Sequence, residues 1–153
     1  MRFIGTTETK VDPKGRTVIP VAFRRVLKEH GEERVVLRKD DFQPCLVIYP
    51  ESAWSALVDT VRERLNRWDP QQQMMFRQFV SDVEVQTLDS AGRILIPRRY
   101  LQMAAIDTAV KIIGMDDSME VWADDGSGKP FMEPADFVKA MQQIMNPEND
   151  NDR

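Results

Sequence analysis

Asp12-Pro13-Lys14-Gly15-Arg16-Thr17-Val18-Ile19-Pro20 returns 77 residues later as Asp89-Ser90-Ala91-Gly92-Arg93-Ile94-Leu95-Ile96-Pro97. Five of the nine positions are identical: Asp12/Asp89, Gly15/Gly92, Arg16/Arg93, Ile19/Ile96 and Pro20/Pro97. A repeat of this kind organises everything around it. Asp12-Pro13-Lys14-Gly15 fits a type I turn, with Asp first, Pro second and Gly fourth. The Asp carboxylate can accept hydrogen bonds from the backbone of its own turn, and the Gly supplies a positive-φ position. The flanks Thr7–Val11 and Arg16–Ile19 suit short strands. Asp89-Ser90-Ala91-Gly92 reads the same way without the proline.

Outward from the two turns, later features keep the same order. Pro20 and Pro97 sit where a helix can begin without needing an N–H. Phe23, Val26 and Leu27 follow at helical spacing and Gly31 ends that helix; the second copy offers Tyr100, Leu101 and Ala104. The apolar run Arg34–Leu37 is matched to Val110–Ile113, and Leu46–Tyr49 to Met119–Trp122. The chain therefore reads as a first unit at 6–53, a helical connection at 54–82, a second unit at 83–126, and a C-terminal helix with an acidic tail at 127–153. In the connection, Trp54, Leu57, Val58, Val61, Leu65 and Trp68 form a helical stripe suited to core or subunit contact. Asp69-Pro70 breaks it, and Phe76, Phe79 and Val80 suggest a second helix. A last helix is expected over Pro134–Met145, and a frayed tail over 146–153. Each copy spans under 50 residues, too few to bury a good core alone, so the copies must pack together, within or between chains.

Composition narrows the function. With 42% hydrophobic and 30% charged residues in 153, the chain has the make-up of an ordinary soluble globular protein of about one domain. No apolar run approaches the ~20 residues needed to span a bilayer, so no membrane partner is expected. MRFIGTTETK has a charge but no apolar stretch behind it, which does not fit a signal peptide. The single Cys45 cannot form an internal disulfide and fits a reducing cytosol. One Cys and one His30 make a zinc site with the usual ligands improbable, and Asp116, Asp117 and Glu120 lack the glycine of a calcium loop; no metal and no cofactor are expected. A hydrolase using Asp12 or Asp89 would lack a base, a metal set and a cofactor loop, so no enzyme is expected.

The net charge of −4 is unevenly spread. Residues 1–28 carry +5 and residues 89–111 carry +2, whereas 29–88 carry −4 and 112–153 carry −7. Positive charge thus accompanies each glycine turn. Arg16 and Arg93 have two open readings: each pairs with its own Asp and locks the turn, or each projects a guanidinium fork toward phosphate and the O6/N7 edge of guanine. The two roles are compatible. Lys14 lies in the turn itself; Lys10, Arg24, Arg25, Arg98 and Arg99 are further candidates to extend a basic surface, or simply solvated charges.

The paired Asp-x-x-Gly-Arg segments running into Ile-Pro resemble the MraZ family, a bacterial branch of the AbrB-like swapped-hairpin DNA-binding proteins. Phe3-Ile4-Gly5, Cys45-Leu46-Val47-Ile48-Tyr49-Pro50, Ile113-Gly114 and Met119-Glu120-Val121-Trp122 carry the same likeness, over about residues 1–125. The resemblance implies an α+β fold: two swapped-hairpin β units forming a pseudo-barrel, with a helical connection and a C-terminal helix. It implies closed homo-oligomeric rings of about eight subunits. It also implies a cytoplasmic, nucleoid-associated transcriptional regulator, usually a repressor, of the division and cell-wall gene cluster. The partner would be double-stranded DNA carrying short promoter direct repeats. Carried over residue by residue, Asp12 and Arg16, and Asp89 and Arg93, are the motif positions, with the arginines expected to contact DNA; Lys14 joins them as a DNA-contact candidate because it lies in the turn, and Asp12, Gly15, Asp89 and Gly92 are expected to form the turns. The second turn departs from the first in having Ala91 in place of Lys14. An antitoxin-like or scaffold interaction module is the alternative function.

Overall fold

The computed structural model describes residues 1–146; the acidic stretch 147–153 lies outside the described residues. The elements in order are β1 (Thr6–Lys10), β2 (Arg16–Val18), α1 (Val21–Glu29), β3 (Arg34–Lys39), β4 (Leu46–Pro50), α2 (Glu51–Arg64), α3 (Pro70–Ser81), β5 (Glu84–Thr87), β6 (Arg93–Leu95), α4 (Arg98–Met103), β7 (Ala109–Gly114), β8 (Met119–Ala123) and α5 (Pro134–Met145). The fold is α+β, and every strand pairing is antiparallel.

Strands β1 and β2 are joined by a tight turn, yet they do not form a hairpin ladder. The turn closes as a three-residue loop with Gly15 left-handed, a connection that hairpins also use, so it is the pairing of β1 with β7 and of β2 with β6 that draws the strands apart. One backbone bond survives at the turn, Asp12 N–H to the Arg16 carbonyl at 2.9 Å, and the strands then part. β1 crosses to the second copy and pairs with β7, Thr7 opposite Ile112 and Thr9 opposite Val110. β5 crosses the other way and pairs with β3, Glu84 opposite Leu37 and Gln86 opposite Val35. β2 and β6 pair with each other in a separate two-stranded ribbon. The six-stranded sheet runs β1-β7-β8-β4-β3-β5, so its two ends are filled by swapped strands.

This register corrects one detail of the repeat. Val35 and Leu37 occupy the places of Val110 and Ile112, so Arg34–Leu37 answers to 109–112, one residue earlier than the apolar run suggests. Burial agrees: Val35, Leu37, Val110 and Ile112 are all at or below 1% exposure, while Lys111 is half-buried. Lys111 breaks the alternation in the sequence, which is why counting apolar letters misplaces the match.

One core lies between the sheet, the ribbon and the two short helices. Phe3, Ile19, Phe23, Leu37, Leu46, Ile48, Ile94, Ile96, Tyr100, Ile112, Met119 and Val121 share it, with contributions from both copies. Neither copy closes this core without the other. Phe3 meets Phe23 edge-on at 5.6 Å. The buried Tyr100 hydroxyl donates to the Asp82 carbonyl at 3.0 Å, which satisfies its one polar atom.

The helical connection covers the outer face of β3 and β4. Tyr49 contacts Trp54, and Trp54 stacks on Phe79 at 5.1 Å. The helical stripe is shorter than its periodicity suggests: α2 ends at Arg64, Leu65 turns extended, and Trp68 is 92% exposed. No residue of α2 or α3 is fully buried. Asp69 does not break a helix already finished. It caps the next one, its side chain accepting from the Gln71 and Gln72 N–H groups. On the second copy the matching outer face, Lys111 and Trp122, is met by Phe131 from the loop before α5. α5 itself leaves Phe137, Val138, Met141, Ile144 and Met145 exposed.

Cys45 is fully buried, and burial pushes its thiol up to about 12. A buried thiol of that kind is inert. The expected result is no labelling of the native protein by a thiol reagent at neutral pH, with full labelling after denaturation; rapid native labelling would contradict the placement.

Candidate nucleic-acid interface

The turn is built by one carboxylate. Asp12 Oδ1 accepts the backbone N–H of Lys14 at 2.9 Å and of Arg16 at 2.8 Å. Its Oδ2 accepts Arg16 Nε–H at 2.7 Å. The Gly15 N–H donates to the Asp12 carbonyl at 2.9 Å and closes the turn. Asp89 repeats the set with Ala91 N–H at 2.9 Å, Arg93 N–H at 2.9 Å and Arg93 Nε–H at 2.8 Å. Gly15 and Gly92 have φ of +89° and +76°. Each carboxyl is held below the usual range, chiefly by the backbone N–H of its arginine and then by the guanidinium. The sign follows: this contribution to the turn is present at neutral pH and is lost as pH falls through the depressed pKa.

Only Nε of each arginine is used on its aspartate, so both terminal nitrogens remain available for another acceptor. The side chains are about a third exposed, 34% for Arg16 and 32% for Arg93. Locking the turn and reaching outward therefore belong to one side chain. A guanidinium fixed at Nε also loses less freedom when its terminal nitrogens bind.

The ribbon sets the two arginines relative to each other. Arg16 pairs with Leu95, Thr17 with Ile94, and Val18 with Arg93. Directly opposed residues share a face, and so do residues two apart along a strand. Arg16, Val18, Arg93 and Leu95 thus lie on one side of the ribbon and Thr17 and Ile94 on the other. Thr17 and Ile94 are 1% and 2% exposed; Val18 and Leu95 are 38% and 51% exposed. The Thr17 hydroxyl is satisfied by the Lys10 carbonyl. The Ile19 N–H donates to the Gly92 carbonyl at 2.9 Å, and the Ile96 N–H to the Gly15 carbonyl at 2.8 Å. These bonds lengthen the ladder at both ends and tie each turn to the other copy. The result is a nearly two-fold symmetric surface with an arginine turn at each end.

The helices are swapped beneath the turns as well. Arg24 of α1 donates through Nε to the Ile19 carbonyl at 2.9 Å. It lies against the second turn, where a Cβ on Gly92 would be 2.5 Å from Arg24 Cδ. Arg98, Leu101 and Gln102 of α4 line a groove beside Asp12, Pro13 and Gly15 of the first turn. The second turn, which has Ala91 in place of a lysine, therefore gains the Arg24 cation from the first copy. That relationship is long-range and leaves no local signal in the sequence.

The other candidates separate clearly. Lys14 is exposed at the turn, and its ammonium makes no ion pair among the described residues. Lys10, Arg25 and Arg98 are exposed. Arg99 is committed elsewhere: it pairs with Asp82 and Glu84 at 3.0 and 3.1 Å and lies over the Tyr100 ring. His30 ends α1, its Nδ1 3.0 Å from the Val26 carbonyl. Motif reading does not single out Val18 and Leu95, although the alternation in Arg-Thr-Val and Arg-Ile-Leu puts them beside the arginines. It misses Gln86 too, whose amide accepts the Leu95 N–H at 2.8 Å and donates to the Leu95 carbonyl. Among the described residues no helix is long and apolar enough to cross a membrane, and no group of three or more His, Cys, Asp or Glu could hold a metal ion.

A family profile described as "MraZ protein, putative antitoxin-like" matches residues 2–78 and 79–126. The chain belongs to the MraZ family. It is 50% identical over 152 residues to a Bacteroides thetaiotaomicron protein named transcriptional regulator MraZ, covering 99% of this chain and 97% of the relative. A Phocaeicola vulgatus protein of the same name is 50% identical over 149 residues, 97% of each chain. A more distant one from Serratia proteamaculans is 31% identical over 120 residues, 78% of each chain. The boundary between the two matched segments falls within α3, between the two arginine turns.

Proposed function

We propose that this chain is a sequence-specific DNA-binding regulator of transcription. Membership of the MraZ family and the names of its relatives support the regulatory role. The observation that carries the DNA-binding reading is the β2–β6 ribbon, which presents Arg16 and Arg93 on one outward face with their terminal nitrogens unused. A two-stranded ribbon fits the ~12 Å major groove, where an arginine fork matches guanine O6/N7 and phosphate oxygens. Lys14 and Arg24 would add phosphate contacts, one at each turn. The carboxylates of Asp12 and Asp89 face their own arginines and so oppose DNA less than their charge suggests.

In this reading the chain acts in the cytoplasm at the nucleoid. It represses the division and cell-wall gene cluster by binding promoter direct repeats as a ring of about eight subunits. The apolar stripe left exposed along α5 supports assembly, because contiguous apolar surface of this kind marks protein contacts, and exposed Met74 and Met75 on α3 add to it separately. Direct repeats would be met by successive subunits. No catalytic step and no cofactor enters the mechanism. The matching profile's "antitoxin-like" description favours a second reading, an interaction module without its own operator.

A gel shift separates the two. DNA from upstream of the chain's own gene should be retarded in the presence of excess scrambled competitor, and light scattering should give a mass several times the 17.7 kDa chain. No retardation at micromolar protein would favour the interaction module; a monomer would remove the ring. Arg24 has its own expected result. Arg24→Leu, which installs the residue type found at the matching position 101, should weaken binding and lower the salt slope by about 0.9 if Arg24 neutralises one phosphate. Unchanged affinity and slope would leave Arg24 only as the side chain that supports Gly92.

A further inference from the structure

The ribbon carries two exposed apolar side chains for which the arginines give no account. Val18 and Leu95 stand outward between Arg16 and Arg93, diagonal to each other across the pseudo-two-fold axis. Their neighbours Thr17 and Ile94 already fill the core side, so neither Val18 nor Leu95 is needed there. Nothing among the described residues covers them fully. They also differ from the exposed apolar residues of α5, because each is flanked by a cation on the same face.

Charge decides the kind of occupant. A surface with an arginine at each end suits a polyanion, and its outward residues, two apart on each strand, stand about 6.8 Å apart, roughly two steps of 3.4 Å along a DNA strand. An apolar side chain facing base edges in the major groove has one complementary group there, the C5-methyl of thymine. Leu95 is moreover held in place through its backbone by the Gln86 amide, which fixes the strand that presents it.

We propose that Val18 and Leu95 are specificity-determining residues that read thymine methyl groups, while Arg16 and Arg93 supply the charged contacts beside them. This rests on the DNA-binding reading above. It makes the preferred site one in which thymines lie next to the arginine-contacted positions. It also assigns unequal reach to the two ends of the ribbon, since Leu95 is longer than Val18 and would reach a methyl more deeply placed.

The test uses the full chain and duplexes that the protein itself selects from a random-sequence library. Each selected thymine is replaced in turn by deoxyuridine, which removes the methyl and leaves the base-pairing edge unchanged. The parent protein should bind the substituted duplex about fourfold more weakly at one or more positions, the value of one buried methyl-sized group. The Val18→Ala/Leu95→Ala variant should bind thymine and uracil duplexes alike, with an unchanged salt slope and an unchanged circular dichroism spectrum. Equal binding of both duplexes by the parent, selection of sites without thymine, or discrimination retained by the double variant would each overturn the assignment. If the double variant changes the assembly mass while discrimination persists, the two residues form a contact between copies and the assignment falls. Failure to select any duplex from the library would instead overturn the DNA-binding reading itself.

Discussion

Arg16→Ala is expected to remove most specific DNA affinity while leaving the turn, the core and the assembly in place. The turn survives because Asp12 still accepts the backbone N–H groups of Lys14 and residue 16, and Gly15 still closes onto the Asp12 carbonyl. The change is confined to a partly exposed guanidinium whose Nε is tied down and whose two terminal nitrogens meet no acceptor among the described residues. Removing each base-reading arginine fork should cost roughly 1–3 kcal/mol. If the chain binds as the proposed ring, several subunits engaged at once would enlarge that cost, because linked weak interactions add through effective concentration. If Arg16 also neutralises phosphate, the salt slope should fall by about 0.9 for each phosphate released. Arg16→Lys should not rescue fully, since a lysine has no Nε to give Asp12 while keeping a fork for DNA. Arg93→Ala should act in the same direction. Ala91 makes its turn less basic, but Arg24 lies against that turn and narrows the difference. Titrations at several salt concentrations, with circular dichroism and a sizing column, measure all of this. An Arg16→Ala protein that keeps its assembly and binds upstream DNA as tightly as the parent would reduce Arg16 to a structural residue.

The sequence is legible where one residue type does one local job. The two turns follow from Asp and Gly at fixed spacing, and the last helix follows from Pro134 and the apolar spacing to Met145. Pairing partners are a different matter. Nothing between Thr6 and Val18 says that β1 leaves β2 for β7, because the partner strand lies about a hundred residues away in the chain. Family resemblance supplies the swapped arrangement, and the turn gives no local sign of it, because a type I turn followed by a left-handed glycine also closes ordinary hairpins. The same limit hides Arg24 beneath Gly92. In the helical connection the opposite error arises. Periodicity at Leu65 and Trp68 outruns the helix, while Asn66, whose side chain accepts the Trp68 N–H at 3.0 Å, and Asp69 mark a turn and a new cap. At the interface, the arginines are visible as a repeat, but Val18 and Leu95 need the ribbon's register.

Gly15→Ala should damage stability and DNA binding together, which an exposed surface change would not do. Its φ of +89° is unfavourable for any residue with a Cβ, and that strain costs on the order of 1–3 kcal/mol. The site adds a second penalty, because a Cβ there would stand 2.7 Å from the Ile96 carbonyl oxygen. That oxygen belongs to backbone, so relief requires the first turn to move away from the end of β6. Movement stretches the Ile96 N–H to Gly15 carbonyl bond, which is one of the two ties between the copies at the ribbon. The arginines then lose their fixed separation, and on the proposed DNA-binding reading affinity falls at both ends of the ribbon. Gly31→Ala supplies the comparison: its φ is also positive, at +67°, but nothing lies within 4 Å of the added Cβ. It should show the conformational cost alone, with a smaller fall in Tm and no change in DNA affinity. For a chain of this size each kcal/mol lowers Tm by about 2–4 °C, so thermal unfolding resolves the two variants. If Gly15→Ala is no less stable than Gly31→Ala and binds DNA normally, the close approach of the turn to β6 does not govern the site. If it is less stable yet binds normally, the ribbon tolerates the shift and the spacing of Arg16 and Arg93 is not what the DNA reads.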